Sequence, residues 1–366
     1  MQAPWESVLE TLNERFAPLN AARAGAARRA PPNHSNIRDD RPPALHHGRM
    51  HDSRLNRRQF LATTASSVVL AGCSGTPKPK RVEPTGVVDT HTHFYDPSRA
   101  KGVPWPPKSD AFLYRPVYPE EFQQLTRRHG VTGTVVVEAS SWLDDNQWIL
   151  DLAEKNDFIL GLVGHVEPGR TEFARELKSF TANPVFRGIR IGVWEKSPLV
   201  NPDVLRDLRI LADLDLSLDI LTDSDRLEEV ARLARAIPSL RIIVDHCANV
   251  RIDPQGPPGP WLTGLRACST HRNIYMKVSG LVEGTGRTQA DAPERLEFYR
   301  PTIEAVWQAF GEQRVIYGSN WPVSARFAPY ATVFNLAAEF FASKGAAAAE
   351  RFFSKNATKA YKISAR

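Results

Sequence analysis

From Gly86 onward, short apolar runs alternate with longer stretches whose apolar residues recur at helical spacing. The runs VVDTHTH (87–93), GTVVVEA (133–139), ILGLVGHV (159–166), FRGIRI (186–191), LSLDIL (216–221), RIIVDH (241–246), IYMKVSG (274–280) and RVIYGSN (314–320) are predicted strands. Between them, 120–129, 147–155, 171–181, 202–213, 225–236 and 293–310 have the spacing of amphipathic helices. Strands that are apolar almost throughout must be covered on both faces, which implies a parallel sheet flanked by helices. Eight such units in residues 87–366 predict an α/β fold, a single-domain (β/α)8 TIM barrel. A doubly wound sheet more often has roughly five to seven strands, and no glycine-rich phosphate loop follows the first strand here. A helix-forming run at 347–361 remains to close the bottom or the side of the barrel.

Reacting groups in such a barrel stand at the C-terminal ends of the strands. Those ends are polar in this chain: His91 and His93, Glu138, His165, Arg190, His246, Lys277 and Ser279, and Asn320. His91 and His93, two apart on a strand, share one face with backbones about 6–7 Å apart. Both can reach one divalent ion, zinc above all, or hold a structural place. His246 reads as a third metal ligand, a substrate-orienting group, or a histidine hydrogen-bonded in the barrel mouth. Glu138 and His165 bind metal, move protons, or are paired with a nearby cation. Arg190 is a fixed cation suited to a carboxylate or to lactone oxygens, while Arg187, at odd spacing from it, faces away. Lys277 contacts a substrate carbonyl or hydroxyl, or forms a salt bridge inside the barrel. The proline-rich insert 94–116, with Trp105 and Tyr114, has the character of a lid or substrate wall, since aromatic faces stack well on sugar rings.

Charge changes this picture little. The formal net charge is +6, but the first 73 residues hold ten Lys and Arg against six Asp and Glu, leaving the rest near +2. No basic nucleic-acid surface is expected, and a small-molecule substrate is. Three cysteines give neither a disulfide framework nor a zinc knuckle. Residues 53–73 combine the pair Arg57 and Arg58, a short apolar run and LAGC, and resemble a twin-arginine (Tat) export signal with a lipobox. The expectation is cleavage before Cys73, lipidation of its thiol, and an envelope or periplasmic location anchored by that lipid alone. A Tat signal with another cleavage site is the alternative. Met50 directly precedes this signal, so residues 1–49 read as an upstream extension and 74–86 as a linker. Tat systems export folded proteins, often with metal already bound, which adds to the expectation of a divalent cofactor.

Six stretches in order, VVDTHTHFYDP, GVTGTVVVEAS, FRGIRI, IIVDHCANV, YMKVSGL and RVIYGSNWPVS, resemble the amidohydrolase superfamily. The branch is the one that includes L-fuconolactonases and 2-pyrone-4,6-dicarboxylate lactonases. The resemblance implies hydrolysis of a cyclic ester, less often decarboxylation or amide hydrolysis, with metal dependence that varies among members. His91, His93 and His246 match its metal or substrate histidines, and Trp321 falls in its eighth-strand motif as a substrate contact. Asn320 stands where the family has an aspartate that takes the proton of the attacking water. An amide cannot accept that proton. Three readings follow: Glu138, His165 or His246 is the base; a metal-bound hydroxide attacks while Asn320 orients it; or the chain has kept only carbohydrate binding.

Overall fold

The computed structural model describes residues 86–193, 199–287 and 290–363. The segments expected to be a leader and a linker, apart from Gly86, and Cys73, the expected lipidation site, lie outside these residues. Eight strands form one parallel sheet in chain order: β1 Val87–Thr92, β2 Val131–Val137, β3 Ile159–Gly164, β4 Phe186–Val193, β5 Ser217–Thr222, β6 Arg241–Val244, β7 Ile274–Val278 and β8 Val315–Tyr317. The seam between β8 and β1 is held by a parallel bridge from Thr92 to Trp321 and by backbone hydrogen bonds from His93 to Trp321 and from Asn320 to His91. The predicted (β/α)8 barrel is therefore the observed fold.

Helices cover the outside as their spacing predicts. The helix Pro202–Asp213 begins where Asn201 accepts a hydrogen bond from the Asp203 amide, with proline in its first turn, and it buries Leu208 and Leu211. Each such side chain contributes about 1.5–3 kcal/mol by leaving water. Two of the longer helices leave little periodicity in the sequence. Gly259–Ser269 carries two glycines and a proline, and Tyr330–Ser343 is apolar on most sides, so neither shows a clean amphipathic stripe.

The C-terminal run breaks into Ala346–Glu350, a π-helical turn Arg351–Lys355 and Asn356–Tyr361. Its last part closes the bottom of the barrel: Ala357, Ala360, Tyr361 and Ile363 pack inside against Val135, Val163, Ile243 and Ile316. This plug leaves only the opposite mouth open for chemistry.

Candidate active site

The predicted strands 241–246, 274–280 and 314–320 each give way early to a turn with left-handed backbone. After β6 the backbone turns left-handed at His246, Cys247, Ala248 and Asn249, with φ of 53°, 51°, 58° and 47°. Left-handed non-glycine residues cost roughly 1–2 kcal/mol each, so the turn must be held from outside. Trp261 donates its indole N–H to the Cys247 carbonyl at 2.9 Å, and Asn249 donates to the Thr222 carbonyl at 3.0 Å. After β7, Gly280 (φ 63°) passes so close that a Cβ there would stand 2.7 Å from the Cβ of His246. After β8, a Cβ on Gly318 would stand 2.8 Å from that of His91, and Asn320 takes φ 61°, which its side chain tolerates. These turns bring three histidines together. The His91 ring centre lies 4.3 Å from that of His246 and 5.0 Å from that of His93.

Beneath them is a buried ionic floor. Lys277, fully buried, sets its ammonium 2.8 Å from Asp219, 2.9 Å from Asp245 and 3.2 Å from Nδ1 of His91. Tyr361, from the bottom plug, donates to Asp219 at 2.7 Å. Lys277 thus belongs to the salt-bridge alternative and not to the substrate contacts, because all its donors face protein groups. Nδ1 of His91 stands between that ammonium, which only donates, and Oδ1 of Asp245 at 3.3 Å, which only accepts, so the ring proton sits on Nε2 when Lys277 donates to Nδ1 and on Nδ1 when Asp245 accepts from it. Nε2 is buried and has no hydrogen-bond partner among the described residues.

Burial pushes all three imidazoles down: His91 well below the usual range despite the pull of Asp245, His93 to about 3 with Arg190 adding to the effect, and His246 to about 4. They are neutral at neutral pH. Burial opposes the charge of Asp245 too, but Lys277 outweighs it and holds the carboxyl well below its ordinary value. Asp219, where burial wins over the same lysine, is pushed up to about 6.

Around this cluster, Arg190 donates to the Glu138 carboxylate at 2.9 Å and to the Glu138 carbonyl at 2.7 Å. Glu138 is thereby engaged with a cation, the paired alternative of the sequence reading. The pair is 13% and 16% exposed, which leaves it open to a ligand at the mouth. His246 is fixed through Nδ1 by Ser279 at 2.9 Å. His165, one residue past β3, is half-buried; its backbone N–H donates to the Asn146 side-chain oxygen and its carbonyl accepts from the Asn146 side-chain nitrogen, both at 2.8 Å. Trp105 sets its ring 5.8 Å from His93, edge to face, and 5.2 Å from Tyr95. Tyr114 is half-buried, and no ring contact joins it to the histidines. Trp321 is not a substrate contact: it is 2% exposed and packs against Phe94 and Phe122.

Asn320 points inward. Its carboxamide lies between Nε2 of His93, at 3.2 Å, and Oε1 of Glu283, at 2.8 Å. Glu283 sits on the short helix Leu281–Gly284 just after β7, and its other oxygen, Oε2, is buried without a partner. Burial pushes this carboxyl up to about 7. The sequence reading passed over it, along with Asp219 and Asp245. Its signal was an acidic residue inside the otherwise apolar LVEG, directly after a strand.

The three-histidine zinc set expected from sequence is not formed. Both ring nitrogens of His93 are engaged, Nδ1 with the Val137 carbonyl at 3.0 Å and Nε2 with Asn320, and Nδ1 of His91 faces Lys277 and Asp245. Among the described residues no group of three His, Cys, Asp or Glu is arranged to hold a metal ion. No step below runs through one.

Comparison with known proteins agrees with this barrel. A family model described as amidohydrolase matches residues 88–363. The L-fucono-1,5-lactonase of Burkholderia ambifaria is 32% identical over 244 residues, 65% of this chain and 80% of that protein. The L-fucono-1,5-lactonase of Burkholderia multivorans is 25% identical over 272 residues, 72% of this chain and 91% of that one. Among solved structures, an amidohydrolase from Burkholderia multivorans with bound zinc superposes with a TM-score of 0.68 at 22% identity, covering 76% of this chain and 99% of that chain. That last likeness is one of fold. With an eight-stranded parallel barrel, a histidine pair on its first strand and a family match along almost the whole barrel, the chain belongs to the amidohydrolase family.

Proposed function

We propose that this protein hydrolyses a cyclic ester, the lactone of a sugar acid or of a similar carboxylated ring. One observation carries the reading: a neutral, buried His91 has an unpartnered Nε2 within the cluster it forms with His93 and His246, in a chain related to lactonases. Water attacks the ring carbonyl carbon, the carbonyl π pair moves onto oxygen, and the ring C–O bond then breaks to give a hydroxy acid. With Lys277 donating to its Nδ1, His91 carries its proton on Nε2 and donates it as a hydrogen bond to the developing oxyanion, a role that a fixed donor in a water-poor site performs well. Arg190 holds the carboxylate or ring oxygens of the substrate, and Glu138 keeps its guanidinium in place. His93 and His246 line the site as neutral imidazoles, and Trp105 offers an aromatic wall to the sugar ring.

The test is hydrolysis of an aldonolactone panel, followed by acid release at constant pH, with elemental analysis of the same purified protein. Turnover of at least one lactone, lost in His91→Ala, is expected. Binding of sugar acids with no turnover of any lactone, with or without added zinc, would replace this reading with that of a carbohydrate-binding protein. The proposal extends to export by the Tat route and anchoring through Cys73. Cys73→Ser is expected to move the protein from the membrane pellet to the soluble envelope fraction, and an unchanged distribution would refute the anchor.

A further inference from the structure

The turn after the eighth strand carries an amide where a hydrolytic site of this kind needs a carboxylate, and a carboxylate touches that amide from the short helix that follows β7. We propose that Glu283 takes the proton of the attacking water, in place of the missing strand-8 acid, with Asn320 as the bridge that holds it beside His93. The inference rests on the lactonase reading and names the base within that site.

Geometry carries it. Glu283 Oε1 is 2.8 Å from the Asn320 carboxamide, whose other end is 3.2 Å from His93 Nε2. Oε2 is buried and unpartnered, so one carboxyl oxygen is held and the other is free to receive a proton. Glu138, by contrast, is tied to Arg190, and His246 and His93 are imidazoles that burial has made very weak bases.

The hydrogen bond from Asn320 also holds the carboxyl through the step. The Asn320 N–H end donates to Oε1 at 2.8 Å, and a carboxyl protonated on Oε2 still accepts that hydrogen bond through Oε1. Asn320 therefore keeps Glu283 in one orientation before and after proton transfer, with Oε2 as the oxygen that gains and returns the proton.

The charged and titratable groups near Glu283 do not hold it ionised. His93 reaches it only through Asn320, Tyr299 on the helix Leu296–Phe310 is a buried phenol raised by its own burial and by Glu283, and no cation pairs with Glu283 among the described residues. Burial places its pKa near 7, close to the value that serves a base at neutral pH.

The step balances. As the water oxygen bonds to the carbonyl carbon, one of its protons passes to Oε2 of Glu283. When the ring C–O bond breaks, the departing alkoxide takes that proton back, leaving the hydroxy acid and an ionised Glu283. No oxidant or reductant is needed.

The experiment uses the whole protein and a lactone that the native enzyme hydrolyses. Glu283→Gln, folded by circular dichroism, is expected to lower kcat by on the order of 10²- to 10⁴-fold and to remove the acid limb of the pH–rate profile near 7. The double variant Glu283→Gln with Asn320→Asp, which moves the carboxylate to strand 8, is expected to recover at least tenfold. If Glu283→Gln keeps kcat within about threefold with the acid limb unchanged, or if the double variant recovers nothing, the assignment is overturned while the lactonase reading stands. Failure of the native protein on every lactone would instead remove that reading, and this one with it.

Discussion

The ionic floor makes the sharpest prediction about stability. Replacing Lys277 with methionine keeps the length of the side chain but strands Asp219 and Asp245, both fully buried, without their shared cation. Breaking a buried pair from one side typically costs about 3–5 kcal/mol, because the remaining charge has no compensation. At about 2–4 °C per kcal/mol for domains of this class, Tm should fall by roughly 6–20 °C. The loss should depend on pH. Lys277 now holds Asp245 well below its ordinary value, a contribution present above the unfolded pKa and lost as pH falls. In the variant both carboxyls rise above their unfolded values, so their cost is greatest at high pH and fades in acid. The gap between native and variant should therefore be wide at pH 8 and narrower at pH 5. Thermal unfolding followed by circular dichroism at both values measures it. The triple variant Lys277→Met, Asp219→Asn, Asp245→Asn should regain much of the loss, since no charge is left unpaired. A Lys277→Met variant within about 1 kcal/mol of native at both pH values would refute the reasoning, because the floor would then not be ionic.

Gly280→Ala places a Cβ against His246 at a left-handed φ, and is expected to cost about 1–2 kcal/mol and to lower kcat by displacing that ring; unchanged kinetics would remove the need for glycine there. Trp105→Ala takes away the wall beside His93 and should raise KM for sugar lactones several-fold with a smaller change in kcat, so a purely kcat effect would count against a binding role. Glu283 is raised from 4.5 to about 7, so the folded protein loses stability as pH climbs between those values, by up to about 3 kcal/mol. Glu283→Gln should accordingly be more stable than native at pH 8 and equal to it near pH 4, as read by Tm; a destabilised variant at pH 8 would mean the carboxylate is held by partners.

How far the sequence could lead depended on what kind of signal each residue left. The eight strands were legible because parallel strands covered on both sides are apolar almost without interruption, and a run such as VTGTVVV has no other plausible place. The histidines were legible because a polar residue at the end of such a run has only the barrel mouth to face. What periodicity could not supply was the direction of the chain after the strand. His246, Gly280 and Asn320 all adopt left-handed backbone, and each one turns its neighbours off the extended path that alternation assumes. The family's eighth-strand motif points to Trp321 as a substrate contact, but the turn that carries Asn320 inward sends Trp321 into the core.

Charged residues inside apolar strands left a usable signal that went unread. Lys277 in IYMKV and Asp219 in LSLDIL cannot be buried singly, and each therefore announces the other. The same rule applies to Glu283 and Asn320. A buried carboxyl on one strand end needs a polar neighbour on the next, and the one it meets is the amide that interrupts the family's strand-8 motif. Read alone, Asn320 is a loss of the base. Read with Glu283, it is half of a pair in which the acid has moved one strand over, and the Asn320→Asp and Glu283→Gln exchange asks whether the two positions are chemically equivalent.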